Sequence, residues 1–204
     1  MNLKEIVIPN TMALIVIDMQ NDFCSNEGIY KRYSEDFMRI QKTIPNVQNL
    51  TNTAKDFGIL TVFVRSLFDN KYKLPHLIEK HRALGINEEI CKEGSWGTEL
   101  YIAPSKSDPI ITKHTEDAFL YTFLDPLLKK HNVKTVVLAG LLTEKCIETT
   151  ARSAQLRGYF VIVPEDCIGS DKKLCHEVSV NTMRNMFMHI TDSEELVRLW
   201  KSFP

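Results

Sequence analysis

The 204-residue chain is 44% hydrophobic and 25% charged with a formal net charge of −1, the make-up of a single soluble globular domain over residues 1–204 with a sizeable core. Near-neutral charge without a long basic stripe leaves no electrostatic footprint for nucleic acid or an anionic membrane, so small molecules are the expected partners. The apolar runs are strand-sized, and Met1-Asn-Leu-Lys-Glu-Ile-Val7 lacks the apolar centre of a signal peptide, which sets a cytoplasmic expectation.

In chain order, Ala13 to Ile17 is the first candidate strand. Phe37, Ile40, Ile44, Val47, Leu50, Ala54 and Phe57 then recur three or four apart, a helical period that ends at Gly58, a good C-cap residue. Pro45 inside that stretch predicts a kink or a late start. Ile59 to Val64 is the second strand. Asp69 to Lys106 is the least regular region, with Pro75, Gly85, Gly94, Gly97 and Pro104, and is expected to supply loops over a site around one helix, Leu74 to Leu84. Further strands are expected at Ile110 to Thr112, Thr135 to Ala139, Phe160 to Val163 and Met186 to Ile190. The helices between and after them are expected at Phe119 to His131, Lys145 to Arg157, Lys172 to Asn185 and Ser193 to Lys201, the last with a capping-box signature in Thr191-Asp-Ser-Glu194.

Alternating strands and helices imply right-handed crossovers and a doubly wound α/β fold: a six-stranded, mostly parallel sheet with helices on both faces. Ligands bind such folds outside the carboxyl ends of the strands. A strand order of 3-2-1-4-5-6 sets the first and fourth strands side by side. Sheet edges and the apolar face of the last helix, with Leu196, Leu199 and Trp200, would leave uncovered apolar surface, which points to a symmetric homo-oligomer.

Three strand ends carry reactive groups: Asp18 after the first strand, Lys113 after the third and Cys146 after the fourth, where a helix begins. A cysteine at a helix start feels unpaired N–H groups and the positive end of the dipole, which favour thiolate. It still needs a base, and Asp18 taken out of water beside a sulfur would have its pKa raised towards the working range. Lys113 would hold thiolate and carboxylate in register. The competing reading of Asp18 and Lys113 is a plain salt bridge. The other cysteines form no Cys-x-x-Cys pair, and the odd total argues for reduced thiols. Cys167 and Cys175 are expected as small buried hydrophobes, while Cys24 and Cys91, in loops beside the motifs, carry no assignment.

Asp18-Met-Gln-Asn-Asp-Phe23, Lys113-His-Thr-Glu-Asp-Ala-Phe119 and Gly140-Leu-Leu-Thr-Glu-Lys-Cys146-Ile-Glu-Thr-Thr-Ala-Arg152, in that order, closely resemble the motifs of the isochorismatase-like cysteine hydrolases, the superfamily of nicotinamidases and N-carbamoylsarcosine amidases. The resemblance runs from about Ala13 to Gly169. It implies a Rossmann-like three-layer sandwich and a cysteine amidohydrolase that cleaves a small amide, ureide or carbamoyl compound through a thioester. Asp18, Lys113 and Cys146 would be catalytic, and backbone N–H groups of Leu142 and Cys146 would form the oxyanion hole, with a cis peptide at Leu141-Leu142. Relatives are commonly dimers or tetramers. Gln20, Phe23, Trp96 and Phe119 are candidate pocket residues, Trp96 lying in a segment, Cys91 to Leu100, that looks like the Gly-rich stretch of amidase-type members; core packing is the competing reading for Trp96.

Three departures from the family pattern stand out. Where nicotinamidases carry an Asp-x-His metal motif, this chain reads Val64-Arg-Ser-Leu-Phe-Asp-Asn70, so no catalytic metal or other cofactor is expected. Ureide-hydrolysing relatives often have Arg two residues beyond the lysine; Thr115 here weakens a claim to a carboxylate-bearing substrate. Glu144 replaces the family's Asn two residues before the thiol, the wrong sign for thiolate unless it points away into a loop or subunit contact. Two other functions compete: an isochorismatase-type vinyl-ether hydrolase that uses Asp18 and Lys113 without a nucleophile, and a non-catalytic interaction module.

Overall fold

Apolar runs flanked by amphipathic stretches fold, in the computed structural model, into a parallel sheet between two helical layers; residues 3–186 and 188–203 are described. Among them the strands are β1 (Met12–Ile17), β2 (Leu60–Ser66), β3 (Ile110–Lys113), β4 (Thr135–Leu141), β5 (Phe160–Pro164), β6 (Ile168–Gly169) and β7 (His189–Thr191). Every pairing is parallel, in the order β3-β2-β1-β4-β5-β7, with the two-residue β6 added beside the end of β4. For the six strands legible in the sequence this is the expected order, and β6 is an addition too short to show as an apolar run. The helices are α1 (Leu3–Ile6), α2 (Asn21–Cys24), α3 (Phe37–Asp56), α4 (Pro75–Ala83), α5 (Leu124–Lys130), α6 (Glu148–Leu156), α7 (Lys173–Asn185) and α8 (Ser193–Trp200).

The central strand shows why both faces must be covered. Met12, Leu14 and Val16 of β1 point into one core with Ile40, Val47 and Leu50 of α3 and Leu196 and Trp200 of α8. Ala13, Ile15 and Ile17 point into the other, with Leu124 and Leu128 of α5, Ala151 and Ala154 of α6 and Met183 of α7. The period of two along a strand makes this split obligatory. Each buried Val, Leu or Ile contributes roughly 1.5–3 kcal/mol.

Several element bounds differ from expectation. The helix expected from Phe119 begins only at Leu124, because Pro126 is tolerated in a first turn, where its missing N–H has no intrahelical partner to lose. Pro45 neither delays nor ends α3, which starts at Phe37 under a cap in which the Asp36 side chain accepts from the Met38 N–H. The cap of α8 is Asp192, not Thr191: Asp192 accepts from Glu195 N–H at 2.7 Å, one residue later than the capping box predicted. β7 is shorter than the expected Met186 to Ile190, and residue 187 of that span lies outside the described residues. Cys175 is half-buried, whereas the other four free cysteines are buried.

The apolar stripe of α8 is spent inside the molecule. Leu196 and Trp200 are fully buried, and Trp200 packs on Phe57 at the end of α3 with ring centroids 6.2 Å apart. The α8 part of the surface argument for a homo-dimer or homo-tetramer therefore falls, since α8 covers its own sheet, while the part that rests on the sheet edges is untouched. Among the described residues no helix is long and apolar enough to cross a membrane.

Gly140 sets how closely β4 can approach β1. Its φ is +122°, and a Cβ there would lie 2.0 Å from the Ile17 carbonyl oxygen. Gly140→Ala should destabilise the fold by about 3 kcal/mol or more in urea unfolding, since strain and overpacking add. Gly158→Ala, at φ +87° with nothing within 4 Å of the new Cβ, should cost only about 1–2 kcal/mol. Equal losses would show that the β1–β4 contact is not what demands glycine at 140.

Candidate active site

Four adjacent strands, β3, β2, β1 and β4, end beside one another and deliver Lys113, Ser66, Asp18 and Cys146 to one place. Asp18 follows β1 directly in a left-handed conformation, φ 56°, while its N–H bonds the Val64 carbonyl at 2.9 Å. Asp is among the few non-glycine residues that adopt this region. The carboxylate is 2% exposed, and its two oxygens are divided between neighbours. Oδ1 accepts from Ser66 Oγ at 2.7 Å and Oδ2 pairs with Lys113 Nζ at 2.9 Å.

Lys113 ends the edge strand β3 and reaches past β2 on its four-carbon stem. The ammonium is fully buried and has three donors. One goes to Asp18, one to Cys146 Sγ at 3.1 Å and one to the Thr115 carbonyl at 3.1 Å. The Phe68 ring lies 5.3 Å from Nζ and closes the remaining side. Burial acts to lower the Lys113 pKa, but the Asp18 carboxylate and then the Cys146 sulfur outweigh it and hold the ammonium above its ordinary value.

Cys146 sits in a π turn, Thr143–Ile147, that leads into α6. The Leu142 carbonyl accepts from both Lys145 N–H at 3.1 Å and Ile147 N–H at 3.2 Å, so the wide turn wraps the residue carrying the thiol. Thr143 Oγ1 bonds His176 Nδ1 of α7 at 2.8 Å, tying the turn's first residue to the next helix. The Leu141-Leu142 peptide is cis, as the resemblance implies. Burial, then the Asp18 carboxylate, push the Cys146 thiol well above its ordinary 9.0, against the pull of Lys113. The expected pull of the helix start towards thiolate does not prevail, because desolvation and a neighbouring carboxylate act the other way, in keeping with the expected need for a base.

Asp18 and Cys146 line a cavity of about 140 Å³, and Lys113 is buried behind them. Phe23, Tyr30, Phe68, Leu141 and Leu142 form its apolar walls. Lys73, Leu77, His81, Ile86 and Ile90 come from α4 and the chain around it, as expected of the irregular region, and His114, Thr115 and Glu116 follow Lys113. No residue of α4 is fully buried. The irregular region is anchored through Asp22, whose Oδ2 accepts from Cys91 N–H at 2.6 Å. Gly97 is packed so tightly there that a Cβ would lie 2.1 Å from the same oxygen.

Of the expected pocket residues, Phe23 alone lines the cavity. Gln20 is fully buried behind it, its amide bonded to Ser66 N–H and carbonyl and to the Thr98 carbonyl, where it ties β2 to the loop. Trp96 lies on the surface, 47% exposed. Phe119 belongs to the opposite core, stacked on Tyr159 with centroids 6.0 Å apart. Glu144 does not line the cavity; its Oε2 is buried without a hydrogen-bond partner among the described residues. Burial pushes the thiols of Cys24 and Cys91 up as well, so both are protonated neighbours of the site. Ser66 was not singled out from the sequence, although its place at the end of the strand between those of Asp18 and Lys113 is a usable signal. Among the described residues no group of three or more His, Cys, Asp or Glu could hold a metal ion. Ser66, the last residue of β2, is committed to Asp18, and Leu67 and Phe68, which follow it, offer no metal ligand in their side chains; the residues present do not fit a metal there.

Comparison with known proteins agrees with this architecture. The ureidoacrylate amidohydrolase RutB of Acinetobacter baylyi is 24% identical over 208 residues, covering 95% of this chain and 85% of the relative. A cysteine hydrolase from Pseudomonas syringae pv. phaseolicola superposes with a TM-score of 0.81 at 24% identity, covering 96% of this chain and 94% of the other. The N-carbamoylsarcosine amidase of Thermoplasma acidophilum does so with a TM-score of 0.73 at 26% identity, over 90% and 96%. Residues 12–195 match the isochorismatase domain, and with most of its length inside that match the chain belongs to the isochorismatase family.

Proposed function

We propose that the protein is a cysteine amidohydrolase that cleaves a small amide, ureide or carbamoyl compound. The observation that carries this reading is the buried contact of Lys113 Nζ with both Asp18 Oδ2 and Cys146 Sγ at the floor of the cavity. The relatives named as ureidoacrylate amidohydrolase and N-carbamoylsarcosine amidase support the same reaction class. A vinyl-ether hydrolase would leave this thiol without a task. An interaction module would leave the buried ion pair unexplained, since burying two charges costs several kcal/mol each before their attraction is counted.

The thiol is protonated at rest, so attack and proton transfer belong to one step. Cys146 Sγ adds to the substrate carbonyl carbon as its proton passes to Asp18, and the carbonyl oxygen becomes an oxyanion. Backbone N–H groups of Leu142 and Cys146 receive that charge. Collapse breaks the C–N bond, Asp18 returns the proton to the departing nitrogen, and ammonia or an amine leaves a thioester. Water then adds to the thioester while Asp18 takes its proton. The sulfur leaves with that proton, releasing a carboxylic or carbamic acid. Lys113 stays cationic through the cycle and compensates whichever of Asp18 and Cys146 is negative.

Cys146→Ala should release no ammonia from any amide, ureide or carbamoyl compound that the wild type hydrolyses. Its melting temperature should stay within about 4 °C, because a small cavity costs near 1 kcal/mol. Turnover by that variant ends the mechanism. Asp18→Asn should lose a factor on the order of 10³ in rate, yet its Cys146 should react faster with iodoacetamide. The sign follows from the site: burial and then the carboxylate raise the thiol pKa above 9.0, and removing the carboxylate leaves Lys113 to offset part of the burial. In the wild type, alkylation of Cys146 should therefore climb only above pH 9, and an alkylation midpoint that moves upward in Asp18→Asn would contradict this electrostatics. Hydrolysis should also survive exhaustive chelation; loss restored by zinc would show a metal site that the residues after β2 do not predict.

A further inference from the structure

The cavity lining combines apolar side chains with charged ones. Asp18 is neutralised by Lys113 beside Cys146. Lys73, also in the lining, is half-buried and makes no ion pair with any carboxylate among the described residues. Its Nζ lies 3.3 Å from His81 Nδ1. An ammonium only donates, so Nδ1 is the acceptor and the imidazole is neutral with its hydrogen on Nε2. Lys145, the residue before the nucleophile, adds a second cation to the lining.

The carboxylates nearby are committed elsewhere. Glu89 accepts from Asn70 N–H at 2.7 Å and pairs with Lys92 at 2.9 Å. Asp69 Oδ2 accepts from Glu93 N–H at 3.1 Å, and its buried Oδ1 does not reach Lys73. Apart from Asp18, the one carboxylate on the cavity wall among the described residues is Glu116, which is exposed. The wall therefore carries two lysines against one solvated glutamate.

We propose that the substrate carries a carboxylate, seated on Lys73 with Lys145 and His81 beside it, while its amide carbonyl lies at Cys146. This assignment rests on the hydrolytic reading above and names the substrate class: a short amide, ureide or carbamoyl acid whose two polar ends are separated by an apolar link. Thr115 supplies no cation after Lys113, so the charge comes instead from the chain leading into α4. The electrostatics agree. Burial, against the weaker pull of Glu89, Asp69 and Cys91, lowers the Lys73 pKa, the signature of a cation lacking its counter-ion. The His81 pKa is lowered by burial and then by Lys73, Lys145 and Lys80, which places those cations around one imidazole.

The test uses the monoamides of the four- to six-carbon dicarboxylic acids, each paired with its own methyl ester. Binding is measured by calorimetry to Cys146→Ala, which holds substrate without turnover, and ammonia release is measured with the wild type. At least one acid should bind roughly 10- to 100-fold more tightly than its ester. Adding Lys73→Met should remove that preference, and Lys73→Arg should restore most of it. If Lys73→Met does not fold, Lys73→Gln takes its place, and the acid-to-ester ratio in the Lys73 protein already decides. Acids that bind no better than their esters, or a preference that survives loss of the lysine charge, would overturn the proposal even if the esters were hydrolysed. A Lys73-dependent preference without ammonia release from any acid would support the seat and sink the hydrolytic reading instead.

Discussion

A lysine ammonium with no exposed surface holds this site together. Left alone at that depth the charge would cost several kcal/mol, and the chain would sooner give up the proton than bury it. Lys113 keeps its charge because one donor meets a carboxylate, one a sulfur and one a backbone carbonyl, and those partners come from three different parts of the sheet's carboxyl edge. The ends of β1, β3 and β4 are thereby coupled. Ser66 at the end of β2 completes the row by donating to the other oxygen of Asp18.

The same arrangement explains why the thiol can be both protected and reactive. A permanently ionised cysteine is exposed to oxidation and to adventitious electrophiles. In this site burial and then the carboxylate favour the proton on sulfur, and in the proposed mechanism the lysine would stabilise the negative charge once the proton had moved to Asp18. On that proposal the pair of opposed charges would make the nucleophile conditional on a substrate carbonyl occupying the cavity. The wide turn at Thr143–Ile147, pinned to α7 by His176, sets the sulfur against that pair.

Much of this was legible in the residues. A parallel sheet buried on both faces writes its strands as apolar runs, so Asp18 and Lys113 stand out as the first reactive groups beyond theirs and Cys146 as the thiol in the turn that follows its own. What could not be read were properties that depend on distant neighbours. Gln20 and Phe23 lie three residues apart, yet one ties β2 to a loop and the other faces the cavity, a difference set by the Ser66 and Thr98 backbone. The stripe on α8 showed that an apolar face needed cover; only the packing against Phe57 showed that the cover is the chain's own α3. The protonation of Cys146 inverted the expectation for a related reason: a helix start is visible in sequence, whereas desolvation is not.

The far wall of the cavity rests on different terms from its floor. Lys113, Ser66, Asp18 and Cys146 stand on strands and a turn locked into two cores, but α4 has no fully buried residue and meets the body through half-buried side chains such as Leu77 and Ile78. Segments with so little buried apolar surface occupy the low end of a protein's range of local stability. Raising α4 should therefore take a small part of the free energy that unfolds the sheet, and backbone amides there should exchange with solvent sooner than those of β1 and β4. A ligand bridging the floor and Lys73 would bind the closed arrangement alone. Part of its affinity would then appear as slowed amide exchange in α4, an element apart from the Cys146 turn.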